Sequence, residues 1–366
     1  MSSINADLRI NTLDNIKNEK KIKSWKEVSA LPVKKRLKYL NGSRTFHVLS
    51  ALQFQEPELS RLFELADKIR KIAKTKDGLD FLQTILSHKR AVLYFAQPST
   101  RTYLSFNNAC QILGIQTSDM RSSGYSSEVK GESLEDTLET MHSYTDMIIM
   151  RHVEENIAEK AAWMFNESEK PIPVINAGSG PHEHPTQALL DAYTLHRAFK
   201  GKVKNKTIAI IGDIKRGRAV RSLIYMLSNF EGIRFVFLSP PELGLPDDLR
   251  QFLGKNSIPF EESDNLDKLL RRADVFYYTR IQDEYDKQHE SKSIDYSRFW
   301  LKKEHLSHMK SEAVILHPLP RRNEIPPEID GDKRAWYWKQ EVNGLWMRTA
   351  IIAHVFKEDG YILNYK

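Results

Sequence analysis

Ser99, Thr100, Arg101 and Thr102 follow one another directly after the apolar run RAVLYFA. Three hydroxyls and a guanidinium are poor core material. They are good anion ligands: hydroxyls donate hydrogen bonds, and an arginine fork matches phosphate. If a helix opens at Thr100, its unbonded N–H groups and its dipole favour the same anion.

Further polar clusters recur along the chain. Arg151 stands in MRH at the end of the apolar run DMIIM. The stretch NAGSGPHEHPTQ puts His184, Thr186 and Gln187 where a Gly-rich loop meets a helix opened by Pro185. GDIKRGR carries Lys215, Arg216 and Arg218, and YTRIQ carries Arg280 and Gln282, two apart and so facing one way on extended backbone. HPLPRR, from His317 to Arg322, has two prolines that stiffen the loop and leave the carbonyls of Leu319 and Pro320 for a ligand. SSEVKGES places Ser126 and Lys130 in a polar loop before a helix.

The set is rich in cations and hydroxyls, with one histidine and one glutamine at strand ends. Paired carboxylates, a Ser-His-Asp order, a P-loop and the G-x-G-x-x-G fingerprint are all missing from the sequence. His182, Glu183 and His184 point in different directions as neighbours, so no metal site is expected. The ligands implied are small and polyanionic. The chemistry implied is positioning and charge stabilisation more than a protein nucleophile.

These side chains need a frame. EPELSRLFELADKIRKIA has Leu59, Leu62, Phe63, Ala66 and Ile69 on one helical face. Strand-like runs (RAVLYFA, DMIIMR, IPVIN, TIAIIGD, RFVFLS, DVFYYT, AVILHP) alternate with helical ones, and the alternation restarts after KGKVKNK. The expected fold is α/β: two doubly wound parallel-sheet domains with the active site between them. In open parallel sheets, ligands bind beyond the carboxyl ends of strands, where the clusters fall. The expected division is a basic extension over 1–45, domains over 46–198 and 199–342, and a C-terminal helix over 343–366 returning to the first domain.

Bulk composition narrows the class. The chain has 366 residues, 40% hydrophobic and 28% charged, with one cysteine, Cys110. No internal disulfide framework is open to it, and a cytoplasmic protein is expected. No run approaches the ~18 apolar residues of a membrane span. The net charge is +7. Up to Arg44 there are 11 Lys and Arg against 4 Asp and Glu; the remainder carries 44 of each sign. The excess is therefore local. It reads as a solvated, partly helical arm, and nucleic acid is not expected as a partner.

In order, Ser-Thr-Arg-Thr, Lys-Gly-Glu-Ser, Met-Arg-His, His-Pro-Thr-Gln, Gly-Asp-x-Lys-x-Gly-Arg, Arg-x-Gln and His-Pro-Leu-Pro-Arg make the chain resemble the aspartate/ornithine transcarbamylase family. The match runs from about Phe46 onward. Arg280-x-Gln282 and HPLPR resemble the aspartate branch, in its catalytic chain. The resemblance implies that Ser99, Thr100, Arg101 and Thr102 grip the phosphate of carbamoyl phosphate. It implies that Thr102, Arg151 and His184 polarise the carbamoyl oxygen. Gln187, with the carbonyls of Leu319 and Pro320, would hold the carbamoyl nitrogen. Arg218, Arg280 and Gln282 would hold the carboxylates of L-aspartate. Ser126 and Lys130 would reach a neighbouring subunit's site, so a homotrimer is implied, with regulatory or dihydroorotase subunits left open. The product would be N-carbamoyl-L-aspartate, for pyrimidine synthesis, without metal or cofactor. A transcarbamylase for another amine and a non-catalytic scaffold paralogue are the alternatives. The chain departs from the family pattern at Tyr103, Val129, Arg216, Asp283 and Tyr285.

Overall fold

The computed structural model describes residues 24–121, 131–180, 183–283 and 295–366. They form two compact units. The first runs to Gly180 and takes in Arg348–Lys366; the second lies between and ends at Met347.

Among the described residues the first unit opens with α1 (Trp25–Ser29) and α2 (Val33–Asn41). Then follow α3 (Glu56–Ile72), α4 (Lys76–Ile85), β1 (Arg90–Phe95), α5 (Thr100–Ile112), β2 (Gln116–Arg121), α6 (Leu134–Tyr144), β3 (Met147–Arg151), α7 (Ile157–Asn166) and β4 (Val174–Asn176). The four strands are parallel, in the order β2-β1-β3-β4. Along β1, Val92 and Tyr94 join one core cluster with Ile148, Met150 and Val174, while the alternate residues Leu93 and Phe95 are also buried. Burial on both faces is what a helix-covered parallel sheet requires.

The basic extension is not a solvated arm over residues 24–44. Val28, Leu37 and Leu40 are buried in the same cluster as β1 and β3, and Trp25 contacts Trp163. Lys34, Lys35 and Lys38 remain exposed. Averaged charge concealed a short amphipathic pattern, with Leu37 and Leu40 one turn apart. Arg36 is buried with them. It donates to the carbonyls of Ser29 (2.9 Å) and Leu31 (3.3 Å) and pairs with the buried carboxylate of Glu159 on α7. Burial pushes the Glu159 carboxyl up, against the pull of Arg36.

The second unit holds α8 (Pro185–Ala198), β5 (Thr207–Gly212), α9 (Arg218–Leu227), β6 (Arg234–Leu238), α10 (Asp247–Lys255), β7 (Phe260–Ser263), α11 (Leu266–Leu270), β8 (Val275–Thr279) and β9 (Val314–Leu316). Its sheet is parallel, in the order β7-β6-β5-β8-β9. Ala209, Ile211, Val236, Leu238, Phe276, Tyr278 and Ile315 line one core face. The units part ahead of α8, whereas the sequence division at 198 follows that helix. Asp191 of α8 explains the grouping, because it is hydrogen-bonded to Tyr277 on β8. No helix among the described residues is long and apolar enough to cross a membrane.

The last helices, α12 (Tyr337–Val355) and α13 (Asp359–Leu363), bring chain from Arg348 onward into the first unit. Arg44 donates to the carbonyls of His354 and Val355 at 3.1 and 3.0 Å, satisfying the end of α12. His354 places Nδ1 2.7 Å from Asp359 and Nε2 3.2 Å from Glu58; Arg61 donates to the same Asp359 oxygen. Burial opposes a charge on this ring, but the two carboxylates overcome it and push its pKa up to about 9. His47 behaves oppositely. Its Nδ1 accepts from Val174 N at 3.0 Å, and complete burial drives its pKa down to about 4.

These opposite shifts predict a stability optimum near neutral pH. His354 binds a proton more tightly when folded, so its contribution is complete below about pH 6.5 and is lost as pH rises through 9. His47 binds its proton less tightly when folded, so stability falls as pH drops from about 6.5 towards 4. Each limb is worth about 3 kcal/mol. Thermal unfolding across pH 4–9 should show both limbs, with His354→Gln flattening the alkaline one. An alkaline limb unchanged in that variant would remove His354 as its cause.

Candidate functional site

In each sheet the order of strands reverses at one place. In the first sheet β1 has the next strand, β2, on one side and β3 on the other; in the second, β5 has β6 on one side and β8 on the other. Such reversals open a crevice beyond the strand ends. Ser99–Thr102 and Arg151 fall at the first of these places, and Arg218, Arg280 and Gln282 at the second; the His184 and His317 clusters follow the edge strands β4 and β9.

In the first unit, the chain leaves β1 and enters α5 through Ser99, the N-cap. Elsewhere Ser24, Thr75, Ser133 and Asn265 cap their helices through side-chain bonds; Ser99 makes no such bond. The Ser99 hydroxyl is therefore not committed to its own helix, which counts against a simple cap. Thr102 is buried, and Arg101 is half-buried. Arg151 ends β3 opposite Phe95 of β1. Its carbonyl accepts from Gln97 N at 3.3 Å, and its guanidinium donates to Ala177 O at 3.3 Å. The fold thus brings Ser99–Thr102 and Arg151 to neighbouring strand ends. Tyr103 donates to Asp119 at 2.6 Å, beneath the guanidinium of Arg121, 3.5 Å from its ring. Its hydroxyl is thereby engaged with β2.

In the second unit, His184 is the N-cap of α8, followed by Pro185 in the first turn. Its backbone N–H donates to Ser222 Oγ of α9 at 2.8 Å, and its Nδ1 lies 3.5 Å from the Thr186 hydroxyl. Gln187, one turn ahead of Asp191, donates its amide to that carboxylate at 2.9 Å.

The second sheet's reversal lies between β5 and β8. Gly212 ends β5 with φ +116°, and a Cβ there would stand 1.9 Å from Thr279 O. Only glycine fits so close an approach in that conformation. Asp213, fully buried, accepts from Arg216 N at 3.0 Å with one oxygen and from Gln282 N at 2.9 Å with the other. It therefore ties the loop that leads to Arg218 to the loop that carries Arg280 and Gln282. Arg218 opens α9, and Arg280 donates to Ile281 O at 2.8 Å. Asp283 is paired with Arg322, so its negative charge has a local counterion.

The His317–Arg322 loop follows β9. His317 Nδ1 accepts from Leu319 N at 2.7 Å, and its Nε2 faces Glu324 at 2.8 Å. An Nδ1 that accepts leaves the proton on Nε2, so this contact is a hydrogen bond from a neutral ring. Leu319 adopts φ +56°, which turns the backbone sharply ahead of Pro320.

Ser126, Lys130, Val129 and Tyr285 lie outside the described residues. Three supporting residues had no role in the sequence reading: Ser222, Asp191 and Asp213. Asp213 lay inside a quoted motif, and only its i,i+3 relation to Arg216 hinted at a turn. Asp191 and Ser222 carried no local signal, since their partners are remote in sequence.

Comparison with known proteins divides the chain after α8, as the sequence division at 198 does. Residues 47–197 match the family model for the aspartate/ornithine carbamoyltransferase carbamoyl-P binding domain, and residues 204–355 match that for the Asp/Orn binding domain. The chain is 40% identical over 309 residues to a chloroplastic aspartate carbamoyltransferase of Arabidopsis thaliana, covering 83% of this chain and 76% of that one. It is also 40% identical over 313 residues to the aspartate carbamoyltransferase catalytic subunit of Clostridium novyi (strain NT), covering 84% and 97%. Among solved structures it is similar to aspartate transcarbamoylase from Trypanosoma cruzi in complex with aspartate and phosphate. That match has a TM-score of 0.73, 32% identity, and coverage of 84% and 94%. The catalytic subunit of M. jannaschii aspartate transcarbamoylase gives a TM-score of 0.72, 36% identity, and coverage of 86% and 99%. Two family matches that between them take in most of the chain place it plainly: the chain belongs to the aspartate/ornithine carbamoyltransferase family.

Proposed function

We propose that this chain is an aspartate carbamoyltransferase, which converts carbamoyl phosphate and L-aspartate to N-carbamoyl-L-aspartate and phosphate. The observation that carries the choice of amine is the Asp213 tie between the Arg218 turn and the Arg280–Gln282 loop. Asp213 spends both oxygens on backbone N–H groups. The loops it joins offer two guanidiniums and an amide, a set suited to two carboxylates and hostile to the side-chain ammonium of ornithine.

In the reaction, the α-amine nitrogen attacks the carbamoyl carbon and forms the C–N bond. The C–O bond to phosphate breaks, its electron pair leaves with phosphate, and the departing phosphate accepts the amine proton. Ser99, Thr100, Arg101 and Thr102 hold the phosphate. Thr102, Arg151 and His184 stabilise charge on the carbamoyl oxygen. Gln187 and the carbonyls of Leu319 and Pro320 hold the carbamoyl NH2, and Arg218, Arg280 and Gln282 hold aspartate. Ser126 and Lys130 act from a neighbouring subunit, which makes the active form a homotrimer. The cellular role is pyrimidine synthesis in the cytoplasm, supported by a single, buried cysteine that suits a reducing compartment.

The test is formation of ureido product from carbamoyl phosphate, with L-aspartate and L-ornithine in parallel. Product with aspartate alone is expected. Product with ornithine alone would overturn the amine assignment and keep the phosphate site. No product with either, in folded protein, would overturn the enzyme reading.

A further inference from the structure

Asp191 is fully buried in the second unit and spends both carboxylate oxygens on hydrogen bonds. Oδ1 accepts from Gln187 Nε2 at 2.9 Å and from Gln340 Nε2 at 2.6 Å; Oδ2 accepts from the Tyr277 hydroxyl at 2.8 Å. The two ends of a glutamine amide have almost the same shape and opposite polarity, so its neighbours decide which end faces where. For Gln340 the decision is made by His317 N, which donates to Gln340 Oε1 at 3.0 Å. A backbone N–H only donates, so Gln340 must turn its NH2 to Asp191. A carboxylate only accepts, so Gln187 must do the same. The polarity of Gln187 is thus dictated through a buried relay that starts at a backbone N–H.

We propose that Asp191 is a positioning residue that turns the acceptor end of Gln187 to the ligand, so that the site selects a carbamoyl NH2 over an isosteric methyl. The proposal rests on Gln187 as the ligand of the carbamoyl nitrogen. A carbamoyl NH2 gives Gln187 Oε1 a donor. The methyl of acetyl phosphate gives it nothing and leaves a desolvated acceptor unpaired, a situation that can cost several powers of ten in specificity. Gln187 and Asp191 are four apart on α8, so one helix face fixes their spacing. The relay continues past Gln340, because His317 also accepts from Leu319 N at 2.7 Å. The loop bearing the other proposed NH2 ligands is therefore anchored to the same buried carboxylate.

The test is the ratio of kcat/KM for carbamoyl phosphate to that for acetyl phosphate, with L-aspartate and the full chain. In Asp191→Asn, Oδ1 can keep both glutamines while Nδ2 turns to Tyr277, whose hydroxyl then accepts. The ratio should stay within about threefold of wild type, since every bond is retained. In the double variant Asp191→Asn/Gln340→Glu, charge and bulk are conserved but polarity is inverted. The glutamate holds His317 N with one oxygen and meets residue 191 with the other. The asparagine must turn its NH2 there, Gln187 must flip, and a donor then faces the carbamoyl NH2. The ratio should fall at least ~100-fold. A folded double variant with the wild-type ratio would overturn the proposal, as would collapse of the ratio in Asp191→Asn alone. Should the double variant not fold, Asp191→Leu removes the acceptor at similar bulk; at least a ~10-fold fall is expected, and an unchanged ratio overturns the proposal. Gln187→Met separates the two levels: an unchanged ratio there overturns the ligand assignment itself.

Discussion

His184→Ala should lower kcat by ~100- to 1000-fold, the usual loss on removing one donor to a developing oxyanion. KM for carbamoyl phosphate should change little, because the proposed phosphate ligands, Ser99–Thr102, are other residues. The expectation follows from how the ring is held. His184 is buried and sits at the start of α8, and its backbone is anchored by Ser222 at 2.8 Å. Thr186 Oγ1 lies 3.5 Å from Nδ1. In the proposed role, its hydrogen bond to the carbamoyl oxygen strengthens as charge grows there, so removal of His184 strikes the transition state more than the ground state. His184→Gln, which keeps a donor at the end of a shorter reach, should recover part of the rate. Steady-state kinetics in both substrates decide it: normal turnover in a folded His184→Ala protein would end the assignment, and a rise in KM alone would make the residue a binding group.

Glu159→Ala should destabilise the first unit by about 3–5 kcal/mol, the usual result of leaving one member of a buried ion pair without its partner. Both side chains are about nine-tenths buried. Arg36 would keep its bonds to Ser29 and Leu31 but lose the counter-charge that Glu159 supplies. The double variant Arg36→Met/Glu159→Leu should regain most of the loss, since apolar replacement of a buried pair is often neutral or stabilising. Urea denaturation measures both. Proteolysis gives a second readout, with new cleavage within 24–44 in the single variant. A single variant as stable as wild type would mean that α1 and α2 are held by Val28, Leu37 and Leu40 alone.

The two sheets were legible because their central strands are short, continuous apolar runs such as MIIMR and TIAIIG, buried on both faces. The edge strands β2 and β7 were not. QTSDMR and FEES are polar or only partly buried and are held by backbone pairing, whereas the other two edge strands, β4 and β9, are buried, mainly apolar runs and were legible. The ligand-type residues were legible because hydroxyls, guanidiniums and glycines at strand ends have few competing explanations. Their supports were not. Asp191 reaches Gln340 and Tyr277, and Ser222 reaches His184, across separations that local pattern does not encode. The extension was misread for a related reason. A count of charges reports the exposed lysines and is blind to the three apolar residues beneath them.

Arg348–Lys366 supply α13 and the end of α12 to a unit whose other residues end at Gly180. This imposes an order on synthesis. The second unit is continuous in sequence and waits for no remote segment. The first unit is made earlier and must wait, with the binding surface formed by Arg44, Glu58 and Arg61 uncovered, until His354 and Asp359 have emerged. During that interval Phe81, which packs on Tyr361 and Tyr365, is uncovered too, and transiently exposed apolar surface of this kind is what chaperones shield.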